Sequence, residues 1–114
     1  MEDCIFCKIV AEEIPAVVVY ENERVVAFED IEPMAPVHVI VIPKEHVATV
    51  MDITADHADL MVDLMSAVQE VVRIKGIDKS GFRVVINCNQ DGGQIVFHLH
   101  IHILGGRKLQ DGLG

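Results

Sequence analysis

The run His98-Leu99-His100-Ile101-His102-Ile103-Leu104 constrains this chain more than any other stretch. Apolar and imidazole side chains alternate with a period of two, the pattern of a β-strand whose successive side chains face opposite ways. The alternation predicts a strand that sends Phe97, Leu99, Ile101 and Ile103 into a core. It sets His98, His100 and His102 in register on the other face, roughly 6–7 Å apart at about 3.3 Å of rise per residue. Gly105-Gly106 ends the run, and Asp91-Gly92-Gly93-Gln94 precedes it.

A solvated strand face is ordinarily built from Lys, Glu, Thr or Ser, and His has no special strand propensity. Three imidazoles in register therefore point to chemistry near neutral pH: nucleophilic or acid–base catalysis, or metal ligation. The chain has 114 residues, one domain by size, with 9 basic and 18 acidic residues and a net charge of −9. That balance argues against a nucleic-acid polymer or an anionic membrane as partner, since both need a basic footprint. A small anionic ligand stays open, because backbone amides and His bind phosphate locally. Hydrophobic residues make up 51% of the chain, a high share that suggests apolar surface covered by a second copy. No run approaches the ~18–20 apolar residues of a membrane span. The start, Met1-Glu2-Asp3-Cys4, has no signal or transit character, so a cytoplasmic protein is expected.

The other elements follow in order. Ile5, Phe6, Ile9 and Val10 are spaced for a short amphipathic helix, limited by Pro15. Residues 17–21 and 24–30 read as a hairpin around Glu21-Asn22-Glu23-Arg24. Glu32-Pro33-Met34-Ala35-Pro36 is a rigid connection. Residues 37–42 form a third strand with Val39 and Val41 on one face and His38, Ile40 and Ile42 on the other. Thr54 suits a helix N-cap, and Leu60, Met61, Leu64, Met65, Val68, Val71 and Val72 recur at helical spacing on a core face. Gly76 suits the C-terminal cap. Residues 82–87 make a fourth strand, and the histidine run a fifth. Hairpin-length links give an α+β fold with an antiparallel sheet.

Cys4, Cys7 and Cys88 are odd in number and follow no secretion signal, which argues against a disulfide framework. Cys4-Ile5-Phe6-Cys7 does not follow a strand, as a thioredoxin-like pair would. Half a zinc site and two free thiols remain as readings, and the site needs two further ligands. Cys88 reads as a lone small hydrophobe, and His57 as a surface helix residue.

With these residues in view, the chain resembles the histidine-triad (HIT) family, in its Hint branch of nucleoside phosphoramidases. The signature His-φ-His-φ-His-φ-φ, with φ apolar, is matched in full by residues 98–104. Cys4-Ile5-Phe6-Cys7-Lys8-Ile9, Phe28-Glu29-Asp30-Ile31, Ala35-Pro36-Val37-His38, Ile42-Pro43-Lys44, Asp91-Gly92-Gly93-Gln94 and Leu104-Gly105-Gly106-Arg107 are similar to family blocks in family order. The resemblance implies a HIT-like fold, a five-stranded antiparallel sheet with one long and one short helix. It also implies a homodimer in which two sheets join, with one purine nucleotide site per subunit. It assigns the nucleophile to His100 and places His38 beside the site; His102, two residues on and on the same face, suits the acid that protonates a departing amine. Asp30 becomes the ribose acceptor, Ile31 and Phe6 wall the base, and Asn87, Gly93, Gln94 and Ile95 meet the phosphate or leaving group. Backbone N–H groups of Gly92-Gly93-Gln94 would face the developing phosphoryl charge. Some bacterial relatives hold structural zinc on residues matching Cys4, Cys7, His46 and His98. In that case His98 is structural, and no catalytic metal is needed.

Two departures bear on specificity. Ile95 stands where Hint proteins carry Ser or Thr, and residues 109–114 lack an aromatic, Pro-rich ending. The activity implied is hydrolysis of the P–N bond of nucleoside 5′-phosphoramidates or aminoacyl-type adenylates through a nucleotidyl-histidine. Cleavage of dinucleoside polyphosphates, a nucleotide-binding module with little turnover, and a zinc hydrolase using the strand histidines as ligands are the alternatives.

Overall fold

The computed structural model describes residues 3–113; Met1 and Glu2 of the acidic start, and Gly114, lie outside it. The element order is α1 (Ile5–Val10), β1 (Val18–Glu21), β2 (Val25–Glu29), β3 (Val37–Pro43), α2 (Ala58–Ile74), β4 (Phe82–Val85) and β5 (Ile101–Gly105). The five strands form one sheet in the order β1-β2-β3-β5-β4, with every pairing antiparallel. The expected α+β architecture is the one observed.

The two helices cover opposite faces of the sheet. On one face Val25, Ala27, Val39, Val41, Leu99, Ile101 and Ile103 pack with Leu60, Leu64, Ala67, Val68, Val71 and Val72 of α2. Those α2 positions repeat at helical spacing, so one stripe of about 25 Å is buried along the helix. On the other face Phe6 of α1 packs with Val26, Phe28, Ile40 and Ile42. The alternation within β3 is therefore split between two cores, as its sequence implies.

Backbone caps close the long helix. Thr54 caps a 3-10 turn over Ala55–His57, which leads directly into α2. At the other end the Gly76 N–H reaches the Arg73 carbonyl at 3.1 Å, and the Ile77 N–H reaches Val72 at 2.9 Å. This is a Schellman ending, and Gly76 adopts φ +70° to make it.

Three expectations need correction. Phe97 is 46% exposed instead of buried. Regular pairing of β5 begins only at Ile101, opposite Val41. Two residues further along β3 stands Pro43, which has no N–H to donate and terminates that ladder. Residues 97–100 therefore peel away from β3, and the Leu99 N–H bonds to the Val47 carbonyl at 2.6 Å. Met65 is 40% exposed, because the α2 stripe turns past it, while Met61 stays partly buried against the core. The fourth strand ends at Val85 and not at Asn87.

Candidate active site

Peeling away from β3 brings the histidine run beneath α1. The apolar side chains Leu99, Ile101 and Ile103 still face α2, and the imidazoles face Phe6. His98 is fully buried and His100 nearly so. The Phe6 ring meets His100 edge-on at 5.0 Å and His98 at 5.9 Å between centroids. The His100 and His102 rings lie 5.0 Å apart, closer than straight strand spacing gives.

Backbone groups fix the proton on each ring. The His98 Nε2–H donates to the Pro43 carbonyl at 2.8 Å, so the His98 Nδ1 lone pair is free for the cysteines. The His100 Nδ1–H donates to the His98 carbonyl at 2.8 Å, which leaves the lone pair on Nε2. Among the described residues no fully buried side-chain nitrogen or oxygen lacks a partner. The unpaired Nε2 of His100 therefore opens to space rather than to protein.

The third ring is set at one remove. The Met34 N–H donates to His38 Nδ1 at 3.0 Å, which puts the proton of neutral His38 on Nε2. That Nε2–H lies 2.9 Å from His102 Nδ1 and 3.3 Å from an Asp30 carboxylate oxygen. His102 Nδ1 accepts, so His102 carries its own proton on Nε2. Burial lowers the His102 pKa to about 4, with smaller contributions from the neighbouring His100 and His38. Burial also lowers the pKa of His38, against the opposing pull of Asp30. At neutral pH both rings are neutral donors and acceptors.

These side chains border a cavity of about 680 Å³, within the size range of small-molecule sites. Phe6, Asp30, Ile31, His38, Asn87, Gly93, Ile95, His100 and His102 all line it. Glu32, Met34, Ile40 and Val96 line it as well. Of these, Ile40 shares the His38 face of its strand and was legible as such. The Met34 amide carried no side-chain signal. The charged lining residues are Asp30 and Glu32, with no Lys or Arg among them.

The glycine loop behaves differently from its sequence reading. The Gly93 N–H bonds to Gln90 and the Gln94 N–H to Asn89, both at 3.0 Å, so these amides close the turn. The Gly92, Ile95 and Val96 N–H groups are left without an acceptor among the described residues. The Gln94 side chain is 6% exposed and does not line the cavity. It donates to the Ala48 and Val96 carbonyls at 2.9 and 3.1 Å and accepts from the Asn89 N–H at 2.8 Å. Gln94 therefore ties the loop to Ala48 and Val96, and its side chain lies outside the cavity lining. Asn87 donates to the Gly92 carbonyl at 2.6 Å while still facing the cavity. Gly92 is required by close approach, since a Cβ there would meet the Cys88 carbonyl at 2.4 Å. The C-terminal residues run elsewhere, with the Gln110 carbonyl accepting from Arg83 at 2.7 Å.

Behind the His100 and His102 rings, Cys4, Cys7, His46 and His98 present ligand atoms within 4.8 Å of one another. Cys4 Sγ and Cys7 Sγ lie 3.3 and 3.5 Å from His98 Nδ1, and Cys7 Sγ lies 3.3 Å from His46 Nδ1. A tetrahedral zinc with ordinary Zn–S and Zn–N bonds has S···N edges of about 3.5 Å. The set is closed, and the hydrogen bond from His98 Nε2 to Pro43 is the kind that orients a metal-binding imidazole. Asp30, His38 and His102 also lie close together. There the Met34 amide keeps the proton on His38 Nε2, the atom that faces the other two, so this trio is wired for a proton and not for a cation.

Comparison with known proteins agrees with the geometry. The model of the HIT domain family matches residues 11–109. A purine nucleoside phosphoramidase of Escherichia coli K12 is 41% identical over 108 residues, covering 95% of this chain and 91% of that protein. A HIT-like protein of Synechococcus elongatus is 48% identical, covering 95% and 94%. A HIT family hydrolase of Clostridium thermocellum superposes with a TM-score of 0.96 at 45% identity, covering 99% of this chain and 98% of that one. A HIT family hydrolase of Legionella pneumophila gives 0.95 at 42% identity, covering 98% and 100%. With its triad on β5 and the run before it, the chain belongs to the HIT family of histidine-triad hydrolases.

Proposed function

We propose that the protein hydrolyses the P–N bond of purine nucleoside 5′-phosphoramidates or aminoacyl-type adenylates, releasing a nucleoside monophosphate. The observation that carries this reading is the His100 tautomer: Nδ1–H donated to a carbonyl, Nε2 unpaired and open. His100 Nε2 attacks the α-phosphorus, forming a new P–N bond as the bond to the leaving amine breaks. The His102 Nε2–H gives its proton to that amine. Water then attacks the nucleotidyl-histidine: its oxygen bonds to phosphorus, one of its protons returns to His102 Nε2, and the P–Nε2 bond breaks, so that His100 and His102 are both regenerated. Asp30 accepts from the ribose, Phe6 and Ile31 flank the base, Asn87 and the Ile95 N–H meet the phosphate or leaving group, and Gly93, without a side chain, lets the backbone border them closely. The purine preference follows the name of the Escherichia coli relative.

Zinc on Cys4, Cys7, His46 and His98 is part of the proposal, in a structural role that anchors α1. A homodimer is also proposed: β4 is an edge strand whose Phe82 and Val84 are each 39% exposed, an unpaired edge suited to pairing with a second copy. Among the described residues no helix is long and apolar enough to cross a membrane, and we place the protein in the cytoplasm. Dinucleoside polyphosphates fit less well, because no cationic side chain lines the cavity to meet further phosphates.

The test is turnover of adenosine 5′-phosphoramidate, followed as AMP release, in wild type and His100→Ala. Loss of at least about 10³-fold, with AMP affinity unchanged within a few-fold, is expected for removal of a nucleophile. Undiminished turnover in the variant refutes the mechanism. AMP binding without turnover in the wild type would leave a binding module instead.

A further inference from the structure

Helix α1 has six residues, too few to hold together alone in water. Its inward anchor is Phe6, which is 7% exposed and packed on Phe28 at 5.6 Å between centroids. The same ring meets His98 and His100 edge-on and forms part of the nucleotide cavity wall. The two cysteines bracket it in sequence. Cys4 accepts from the Cys7 N–H at 3.3 Å, and both sulfurs face His98. Phe6 is thus held by the metal-ligand set on one side and presented to the nucleotide on the other.

His98 makes a second bridge. Its Nδ1 faces the sulfurs, and its carbonyl takes the Nδ1–H of His100. Ordering His98 orders the ring whose Nε2 opens to the cavity.

We propose that the Cys4–Cys7–His46–His98 set and the nucleotide cavity are coupled through Phe6 and His98, so that zinc and nucleotide each tighten the binding of the other. Phe6 is the positioning residue of this coupling. A zinc ion joins α1 to His46 and His98, and therefore orders the cavity wall before a nucleotide arrives. A nucleotide that packs on Phe6 opposes release of α1, and therefore of the metal. Linkage makes the two effects equal in magnitude. The inference rests on the zinc and nucleotide assignments proposed above.

Two measurements test it on the full-length protein. The first is AMP affinity by calorimetry on zinc-loaded and chelator-stripped protein. The second is equilibrium partition of zinc between the protein and a chromophoric chelator, with and without saturating AMP. The expected result is AMP binding about five- to tenfold tighter with zinc, and zinc retained tighter by the same factor with AMP, in the usual range for coupled sites. Phe6→Leu should reduce both factors toward one while each ligand still binds. The chelator measurement starts from the folded zinc-loaded protein, so it stands even where the stripped form loses structure. Zinc retention unmoved by AMP overturns the coupling alone. Absence of stoichiometric zinc overturns the zinc assignment and the coupling together, and absence of AMP binding overturns the nucleotide reading and the coupling together.

Discussion

His38 Nε2 lies 2.9 Å from His102 Nδ1, and the proton between them belongs to His38. The Met34 amide decides this, because an N–H can only donate and it points at His38 Nδ1. One backbone group on the loop before β3 thereby sets which nitrogen of His102 carries a proton. His38, His100 and His102 are thereby held in fixed tautomers rather than left as interchangeable bases.

Removing His38 should lower turnover while leaving nucleotide affinity nearly intact. His38→Phe is expected to reduce kcat by roughly 10- to 100-fold, the scale of a misdirected proton donor. His38→Gln can place an amide N–H near the lost Nε2–H and should recover part of that loss. Equal kcat in the two variants would show that His38 only fills space.

Ile95 is 91% exposed at the cavity edge, so changing it should leave stability within about 0.5 kcal/mol. Ile95→Ser adds a hydroxyl beside the proposed phosphate position. One new hydrogen bond of about 0.5–1.5 kcal/mol in the transition state predicts a kcat/KM gain of roughly 2- to 12-fold. No gain, or a loss, would mean that the apolar side chain itself serves the leaving group.

Gly92 cannot accept a side chain without moving the backbone of Cys88. Gly92→Ala should destabilise the protein by about 1–3 kcal/mol, as overpacking does. It should also lower kcat/KM, because the Asn87 contact to the Gly92 carbonyl shifts with it. A denaturant midpoint and activity both equal to wild type would contradict the loop geometry.

Acid should weaken the fold before it protonates the carboxylates. The folded protein favours neutral His102, with a pKa of about 4, against about 6.5 for a free imidazole. The unfolded chain therefore binds more protons between these values. Stability is full above about pH 6.5 and falls as pH drops toward 4. With solvent screening at the open cavity, the loss is on the order of 2 kcal/mol. Urea midpoints at pH 7.5 and 5 should differ less in His102→Gln than in wild type. The same pH sensitivity in both would assign the effect elsewhere.

The short β-rich runs and their hairpin-length links marked the antiparallel class, the alternation at 99–103 marked one strand of it, and the stripe of α2 with its capping glycine marked the long helix. Local propensity and side-chain periodicity fix such features within a few residues of chain. The alternation singled out the three histidines, the Cys4-x-x-Cys7 spacing the cysteine pair, and the family resemblance added Asp30, His38 and His46; the fold gathers Cys4, Cys7, His46 and His98 in one cluster and Asp30, His38 and His102 in another. Three features were decided only by tertiary structure. Phe97 left the core because Pro43, on another strand, ended the ladder. Gln94 turned away from the cavity because the Ala48 and Val96 carbonyls and the Asn89 amide needed partners. The proton on His102 was assigned by the Met34 amide through His38. Each depends on a backbone donor or acceptor, or the lack of one, brought close by the fold. Every residue but proline carries the same backbone groups, so side-chain identity cannot announce where they will meet.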